Sequence, residues 1–159
     1  MKLDDAGQVA NIHTEAWKEA FRGILDQALL DSLDVKEREK MWRETLIPNP
    51  ERTNLVLEIG GHILAWSAFA SSCDDSGSQE LIGIYVDPKH FREGLGSELL
   101  NSTLSKMKTE RTSCISLWVL KENAQAIGFY EKNGFKPSGL TRSVEWLNDA
   151  LEAQYTMEI

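Results

Sequence analysis

Two glycines that follow a short apolar run are the residues of this sequence best placed for chemistry. The run 84–86 ends at Asp87-Pro88, and Gly94 and Gly96 then come just before leucines that recur with helical spacing. The first N–H groups of a helix have no partners inside it and carry a partial positive charge. Because glycine lets an anion approach the backbone without a Cβ in the way, the pattern predicts a site for a phosphorylated cofactor.

The spacing of the glycines argues against two common phosphate sites. A P-loop has a lysine directly after its last glycine, and here Ser97 follows Gly96. A dinucleotide fingerprint has a third glycine, and Leu99 stands at that position. Since a lone Gly-x-Gly also occurs in turns that bind nothing, another part of the chain must decide whether a ligand binds here.

A second segment, residues 117–135, favours a ligand site. It begins as a strand and continues as a short helix, which Asn123 is suited to start and Gly134 to end in the left-handed conformation. Asn123, Ala126 and the run Phe-Tyr-Glu-Lys-Asn-Gly-Phe at 129–135 resemble one signature of the GNAT acetyltransferase superfamily. Enzymes of that family move an acetyl or other acyl group from coenzyme A to an amine.

The glycine loop resembles the other signature of the same family, which reads Arg/Gln-x-x-Gly-x-Gly/Ala after a strand. Gly94 and Gly96 match it, whereas Phe91 stands where the family has arginine or glutamine, and Arg92 is displaced by one position. Because backbone N–H groups would hold most of the phosphate charge, this departure bears on affinity more than on identity. Both signatures, in this order, imply an acetyl-CoA-dependent N-acetyltransferase with a primary amine of a small molecule or peptide as acceptor.

The resemblance also implies how the cofactor is held. The pantetheine amides would pair with the backbone of Ile84, Tyr85 and Val86. Asn123 and Ala126 would lie along the pantetheine arm, and Asn123 also suits a helix N-cap. The loop residues whose N–H groups would hold the pyrophosphate are Arg92, Glu93, Gly94, Leu95, Gly96 and Ser97.

Glu80 is the candidate base, because a protonated amine must lose a proton before it attacks a thioester. Under strict strand alternation it shares a face with the apolar residues Ile82, Ile84 and Val86, where a carboxylate is out of place unless it serves a function. Some family members have a glutamate at this distance before the glycine loop, often acting through a water. An ordinary carboxylate at a strand end is the alternative, and a β-bulge would reverse the argument from facing.

Tyr130 is the candidate general acid. A phenol, with a pKa of about 10, keeps its proton at neutral pH, as a donor to a departing thiolate must. Tyr130 also stands at the tyrosine of the family's Phe-Tyr-Glu-Lys run. The alternative role is that of a buried core tyrosine.

The acceptor site has the weakest signal in the sequence. Trp66 and Trp118 are candidates for its lining, although packing in the core is the more common role of tryptophan. His13 has no partner visible in the sequence and is assigned no role. The residues that would flank the acceptor cleft by resemblance are Trp17, Phe21, Arg22 and Gly23.

Composition narrows the classes of protein. A chain of 159 residues with 42% hydrophobic residues predicts one folded domain over 1–159. The net charge of −8 argues against a nucleic-acid binder and mildly favours a cationic acceptor such as a polyamine or basic peptide. Cys73 and Cys114 lack metal-type spacing, so we expect no metal and a reducing cytoplasm. No apolar run is long enough for a membrane span, and no leader is recognisable.

The pattern of elements predicts an α+β fold with a mixed, mostly antiparallel sheet flanked by helices. Helices are expected over 4–21 and from 34 to about 46, and a hairpin over 54–70 turns at Gly60-Gly61. The first strand of the family is short or missing, because only residues 1–3 precede the first helix. Residues 71–79 are expected to form a loop and 80–86 a strand.

The last segment, 151–159, alternates as a strand and offers an edge for a possible homodimer.

Three functions of different classes stay open at this point. They are an N-acetyltransferase, a non-catalytic acyl-CoA sensor with the same fold, and a dinucleotide-binding protein, against which the missing third glycine speaks.

Overall fold

A computed structural model describes residues 1–47, 52–71, 77–108 and 112–159, which form five α-helices and six β-strands. The helices are α1 (Ala6–Ala20), α2 (Gln27–Asp31), α3 (Val35–Thr45), α4 (Leu95–Met107) and α5 (Ala124–Lys132). The strands are β1 (Arg52–Ile59), β2 (His62–Ser71), β3 (Ser78–Val86), β4 (Cys114–Leu120), β5 (Lys136–Val144) and β6 (Ala150–Glu158). No helix among these residues is long and apolar enough to cross a bilayer.

The strands form one mixed sheet in the order β1-β2-β3-β4-β6-β5. Only β3 and β4 pair in parallel, and the other four pairs are antiparallel. Within residues 1–47 no strand precedes α1, whose start follows a 3-10 turn at Leu3–Asp5, so the expected loss of the first strand is confirmed. The prediction that the C-terminal strand is an edge is wrong, because β6 lies between β4 and β5.

Local signals in the sequence explain where several elements begin and end. The Asp34 carboxylate accepts a hydrogen bond from the Glu37 N–H at 3.0 Å and starts α3, as predicted. Gly60 and Gly61 turn the β1–β2 hairpin at φ of +59° and +83°, values that glycine adopts without strain. β3 begins at Ser78, two residues before the predicted start, and the part of the expected loop that contains Cys73 lies outside the described residues.

Helices cover both faces of the sheet. On one face α4 and α5 pack against β3 and β4 through a cluster of buried side chains that includes Leu81, Leu100, Leu117 and Phe135. On the other face α1 and α3 pack against β2, and Trp42 there is fully buried. Burial of each such side chain contributes roughly 1.5–3 kcal/mol, which holds the sheet in fixed register between the layers.

Candidate active site

Strands β3 and β4 separate halfway along their length. Their parallel pairing runs from Ser78–Cys114 to Leu81–Leu117 and stops there, although β3 continues to Val86 and β4 to Leu120. On its other side β3 stays paired with β2 as far as Val86. The backbone of residues 82–86 is therefore left without a strand partner on the side that faces β4, and its N–H and C=O groups are available to a ligand.

A cavity of about 630 Å³ opens where the two strands separate, and it runs from the glycine loop to the end of α1. The predicted cofactor residues that line it are Ile84, Tyr85, Val86, Arg92, Gly94, Leu95, Gly96, Ser97, Asn123 and Ala126. Tyr130 lines the same cavity. The structure thus brings the two sequence signatures, which are about 30 residues apart in the chain, to the walls of one space.

The glycine loop has the geometry of an anion site. Gly94 is in the left-handed conformation at φ +87° and caps α4. The N–H groups of Ser97 and Glu98 already donate to the Gly94 carbonyl, so those of Leu95 and Gly96 point out of the helix without an intrahelical acceptor. Together with the helix dipole, they offer donors and partial positive charge to a phosphate.

One predicted loop residue does not line the cavity. The Glu93 carboxylate instead contacts the His90 Nδ1 at 3.1 Å on the exposed side of the loop. The neighbouring Arg92 does line the cavity and adopts φ +67°, an uncommon conformation for a residue with a side chain. Of these two charged residues, Arg92 and not Glu93 therefore borders the space where the phosphates of a cofactor would lie.

Asn123 fixes the far wall of the cavity. Its side chain is buried and its Oδ1 accepts a hydrogen bond from the Ala126 N–H at 3.0 Å, which starts α5 as predicted. Gly134, at φ +94°, follows the end of the helix. Because both ends of α5 are fixed in this way, the helix holds Tyr130 on the side that faces the cavity.

Tyr130 is half-buried, and its ring packs edge-on against Phe129 and Phe135 at centroid distances of 5.4 and 5.8 Å. Burial raises the pKa of the Tyr130 phenol above its ordinary value, and the neighbouring Tyr85 adds to this effect. Burial also raises the pKa of Tyr85 to about 12. Both phenols therefore keep their protons at neutral pH. Each can donate a proton or take part in hydrogen bonds, but neither can act as a base.

The argument that Glu80 shares a face with Ile84 and Val86 is wrong, because β3 contains a bulge. The register with β2 shifts between Ala68–Gly83 and Phe69–Leu81, which leaves Ile82 as an additional residue. Leu81 and Ile84 accordingly pack in the same core cluster, although strict alternation would separate them.

Glu80 consequently lies on the opposite face, the face of its parallel partner Ser116. Trp118, two residues further along β4, shares that face and lines the cavity, whereas Glu80 itself does not line it. Glu80 is thus on the same face of the sheet as Trp118, but it is not part of the cavity lining.

The cavity continues beyond the strands toward α1, and we name this second half the acceptor half, after the residues that the resemblance assigns to the acceptor. Of the four residues expected there by resemblance, Trp17 and Phe21 line it, whereas Arg22 and Gly23 do not, and Arg22 pairs with Glu19 on the surface. Trp66 is buried in the core and does not line it. The further lining residues of this half are Ala16, Glu19, Ala20, Ile82, Trp118, Leu120, Trp146, Leu147 and Glu152.

Of the nine further lining residues, the sequence analysis named only Trp118 for this site, and three of the others, Trp146, Leu147 and Glu152, show why. Trp146 and Leu147 lie in a 3-10 turn after β5, a strand whose exposed residues gave no periodic signal. Glu152 belongs to the predicted strand, but only the position of β6 beside β4, where Glu152 pairs with Leu120, brings it to the cavity.

His13, to which the sequence gave no role, lies behind the acceptor half in a cluster of aromatic rings. Its Nδ1 accepts a hydrogen bond from the Trp42 Nε1 at 3.2 Å, and its ring packs against Trp66 at 4.7 Å. Burial lowers the pKa of His13 to about 3, assisted by the nearby guanidinium of Arg38. A neutral His13 therefore supports the wall, and no group of metal-ligating side chains occurs in the described parts of the chain.

Comparison with known proteins agrees with this geometry. A sequence model of the acetyltransferase (GNAT) family matches residues 8–135. The chain is 29% identical over 141 residues to a protein of Mycobacterium tuberculosis described as a probable N-acetyltransferase, covering 86% of this chain and 78% of that one. It is 27% identical over 144 residues to the spermidine N(1)-acetyltransferase of Thermoplasma acidophilum, covering 86% and 85%.

The fold has close counterparts among solved structures. The PaiA N-acetyltransferase of Thermoplasma acidophilum, solved in complex with coenzyme A, superposes with a TM-score of 0.82 at 18% identity, covering 100% of this chain and 96% of that one. At this identity the likeness concerns the fold, which is the mixed α+β sheet that the sequence predicted. With the family model matching most of its length, the chain belongs to the GNAT family of acetyl-CoA-dependent N-acetyltransferases.

Proposed function

We propose that this protein transfers an acetyl group from acetyl-CoA directly to a primary amine, with both substrates in the cavity between β3 and β4. The observation that carries the proposal is the common wall formed by the unpaired backbone of 82–86, the glycine loop and the Tyr130 phenol. The pyrophosphate would bind the N–H groups of Leu95 and Gly96, with Arg92 adding charge. The pantetheine amides would pair with the free edge of β3.

The reaction moves three protons: the ammonium group loses one before attack, the nitrogen loses a second once the C–N bond has formed, and the departing thiolate takes one up. The amine nitrogen, once deprotonated, attacks the thioester carbonyl carbon, and the new C–N bond forms as the carbonyl oxygen becomes an oxyanion. Collapse of this intermediate breaks the C–S bond as the nitrogen loses its second proton to the base. The Tyr130 O–H gives its proton to the departing thiolate, and the phenolate regains a proton from water after the product leaves. Burial holds the pKa of this phenol above its ordinary value, so Tyr130 carries its proton before the transfer.

For the base we propose Glu80, acting through a water. Its position on the acceptor face of β3, beside the strand that bears Trp118, supports a role at a distance from the nitrogen. Glu152 lines the cavity directly and is the second carboxylate on this side. The Oε2 of Glu152 already accepts a hydrogen bond from the Arg142 Nε at 2.7 Å, and we assign this carboxylate to binding of the amine and not to proton transfer.

The test measures thiol release from acetyl-CoA with a panel of amines. Tyr130→Phe removes only the phenolic oxygen and leaves the ring packed, so we expect the rate to fall by roughly ten- to a thousandfold with little change in acetyl-CoA affinity. Tyr155→Phe is the matched control, because Tyr155 is also packed in the core but does not line the cavity. Acetyl-CoA binding without thiol release for any amine would instead indicate a non-catalytic sensor.

A further inference from the structure

The acceptor half of the cavity has features that select among amines. We infer, on the basis of the proposed function, that the acceptor is a primary monoamine with an apolar body of aromatic size. Its ammonium group would contact Glu152, and its body would pack on Trp146 and Ile82. This inference departs from the polyamine or basic peptide that the net charge of the whole chain favours.

The wall of the acceptor half is largely apolar. Phe21, Leu120 and Leu147 are buried together in one cluster, and Trp17 packs against it. The Trp146 ring stacks on that of Trp17, with centroids 5.8 Å apart and planes within 16°. These rings form a continuous surface with few hydrogen-bonding groups, which suits a hydrocarbon body better than a polar one.

Two large apolar side chains of this wall are left exposed. Trp146 is 67% exposed and Ile82 is 44% exposed, although both line the cavity. Trp146 is held by the stack with Trp17, and Ile82 is the additional residue of the β3 bulge, so each is fixed by a defined local structure. A ligand that covers them removes apolar surface from water without having to order the protein first.

The charges of the acceptor half fit one cation and not two. The Glu152 carboxylate accepts from the Arg142 Nε through its Oε2, and among the described residues its Oε1 has no hydrogen-bond partner. That oxygen is available to a single ammonium group. The other lining carboxylate, Glu19, pairs with the Arg22 guanidinium at 2.9 Å.

A second cation would therefore have no uncommitted carboxylate among the described lining residues. An ammonium group that loses its hydration in the cavity without a carboxylate partner is disfavoured, which weighs against a diamine. A monoamine has no second ammonium group that needs a carboxylate, and its apolar end gains the contact with Trp146.

The test compares three amines of similar reach: 2-phenylethylamine, butylamine and 1,4-diaminobutane. We expect kcat/KM for 2-phenylethylamine to exceed that for butylamine at least tenfold, and that for 1,4-diaminobutane to be the lowest. Trp146→Ala should raise the KM for 2-phenylethylamine at least tenfold and change the values for butylamine less than twofold. Leu140→Ala is the matched control, because Leu140 is an exposed apolar side chain outside the cavity and should change nothing.

Calorimetric titration of the same amines into protein saturated with coenzyme A gives a second readout that needs no turnover. The same order of affinities is expected. Equal or tighter binding of 1,4-diaminobutane, or an unchanged affinity for 2-phenylethylamine in Trp146→Ala, would overturn the inference while leaving the acetyltransferase function intact. Preferential binding of 2-phenylethylamine without thiol release would support the pocket assignment and refute the proposed reaction.

Discussion

Replacement of Gly94 with valine tests whether the glycine loop binds the cofactor through its backbone. Gly94 is the N-cap of α4 at φ +87°, and a Cβ built at this position meets no protein atom within 4 Å. The side chain would therefore enter space that the protein leaves open at the mouth of the loop. We expect acetyl-CoA affinity to fall more than tenfold, or about 1.4 kcal/mol or more.

The substitution also strains the backbone, and this cost must be separated from the loss of binding. A residue with a Cβ in the left-handed region costs about 1–2 kcal/mol, more for a β-branched side chain. Gly61 offers a matched control, since it has φ +83° in the β1–β2 turn and likewise no atom within 4 Å of a built Cβ. Gly61→Val should lose a similar free energy of unfolding and keep the acetyl-CoA affinity.

The assay is calorimetric titration of acetyl-CoA into each folded variant, with unfolding by denaturant measured in parallel. Gly94→Asn provides a further variant, because asparagine tolerates the left-handed conformation and adds a side chain with less strain. It should also weaken binding. Unchanged affinity in both Gly94 variants would refute the backbone site, whereas equal loss of affinity in Gly61→Val would show that general destabilisation explains the effect.

Four further predictions concern single features. Arg92→Ala should weaken acetyl-CoA binding only a few-fold, roughly 0.5–1 kcal/mol, because the exposed cation supplements the N–H donors. The loss of affinity should thus be smaller than for Gly94→Val, and a larger loss in calorimetry would refute this ranking. Glu80→Gln should lower turnover most at neutral pH and recover as rising pH deprotonates the amine, whereas a pH–rate profile parallel to that of the wild type would exclude Glu80 as the base. The pKa of folded His13 is about 3, against 6.5 for the ordinary group, so the unfolded chain binds this proton first as the pH falls. Between about pH 6 and pH 3 this group should lower the free energy of unfolding by about 1.4 kcal/mol per pH unit. In His13→Gln, the free energy of unfolding measured with denaturant should change less steeply with pH. A homodimer requires a contact other than pairing through β6, and a monomer mass by light scattering would end that hypothesis.

The parts of the fold that sequence could predict are those set by local chemistry. Asp34 and Asn123 start their helices through side-chain hydrogen bonds to N–H groups three residues ahead, and such contacts depend on sequence separation alone. The glycine pair at 60–61 and the apolar periodicity of α4 are equally local. The two signatures of the cofactor site are of this kind, since each lies within one strand–turn–helix unit.

The elements that escaped prediction lack such signals. α2 has only five residues, too few for a helical period to be recognised. β5 is exposed along nearly its whole length and contains Pro137 and Gly139, residues that usually mark a turn. It is a strand because it pairs with β6 at the edge of the sheet, and such long-range pairing is not encoded in a short window of sequence.

The acceptor half depends on a single inserted residue that no pattern in the sequence reveals. Because Ile82 is additional in β3, Leu81 and Ile84 can both pack toward α4, while the Tyr85 ring lies on the other face against His13 at 5.3 Å. Pairing with β4 ends at Leu81, directly before the bulge, so the same irregularity coincides with the opening between the strands. Because of this one bulge, side chains at odd positions of β3 lie on the α4 side before Ile82, as Leu81 does, and on the opposite side after it, as Tyr85 does. The first half has Leu81 in the core, and the second presents its free edge and Tyr85 to the cavity.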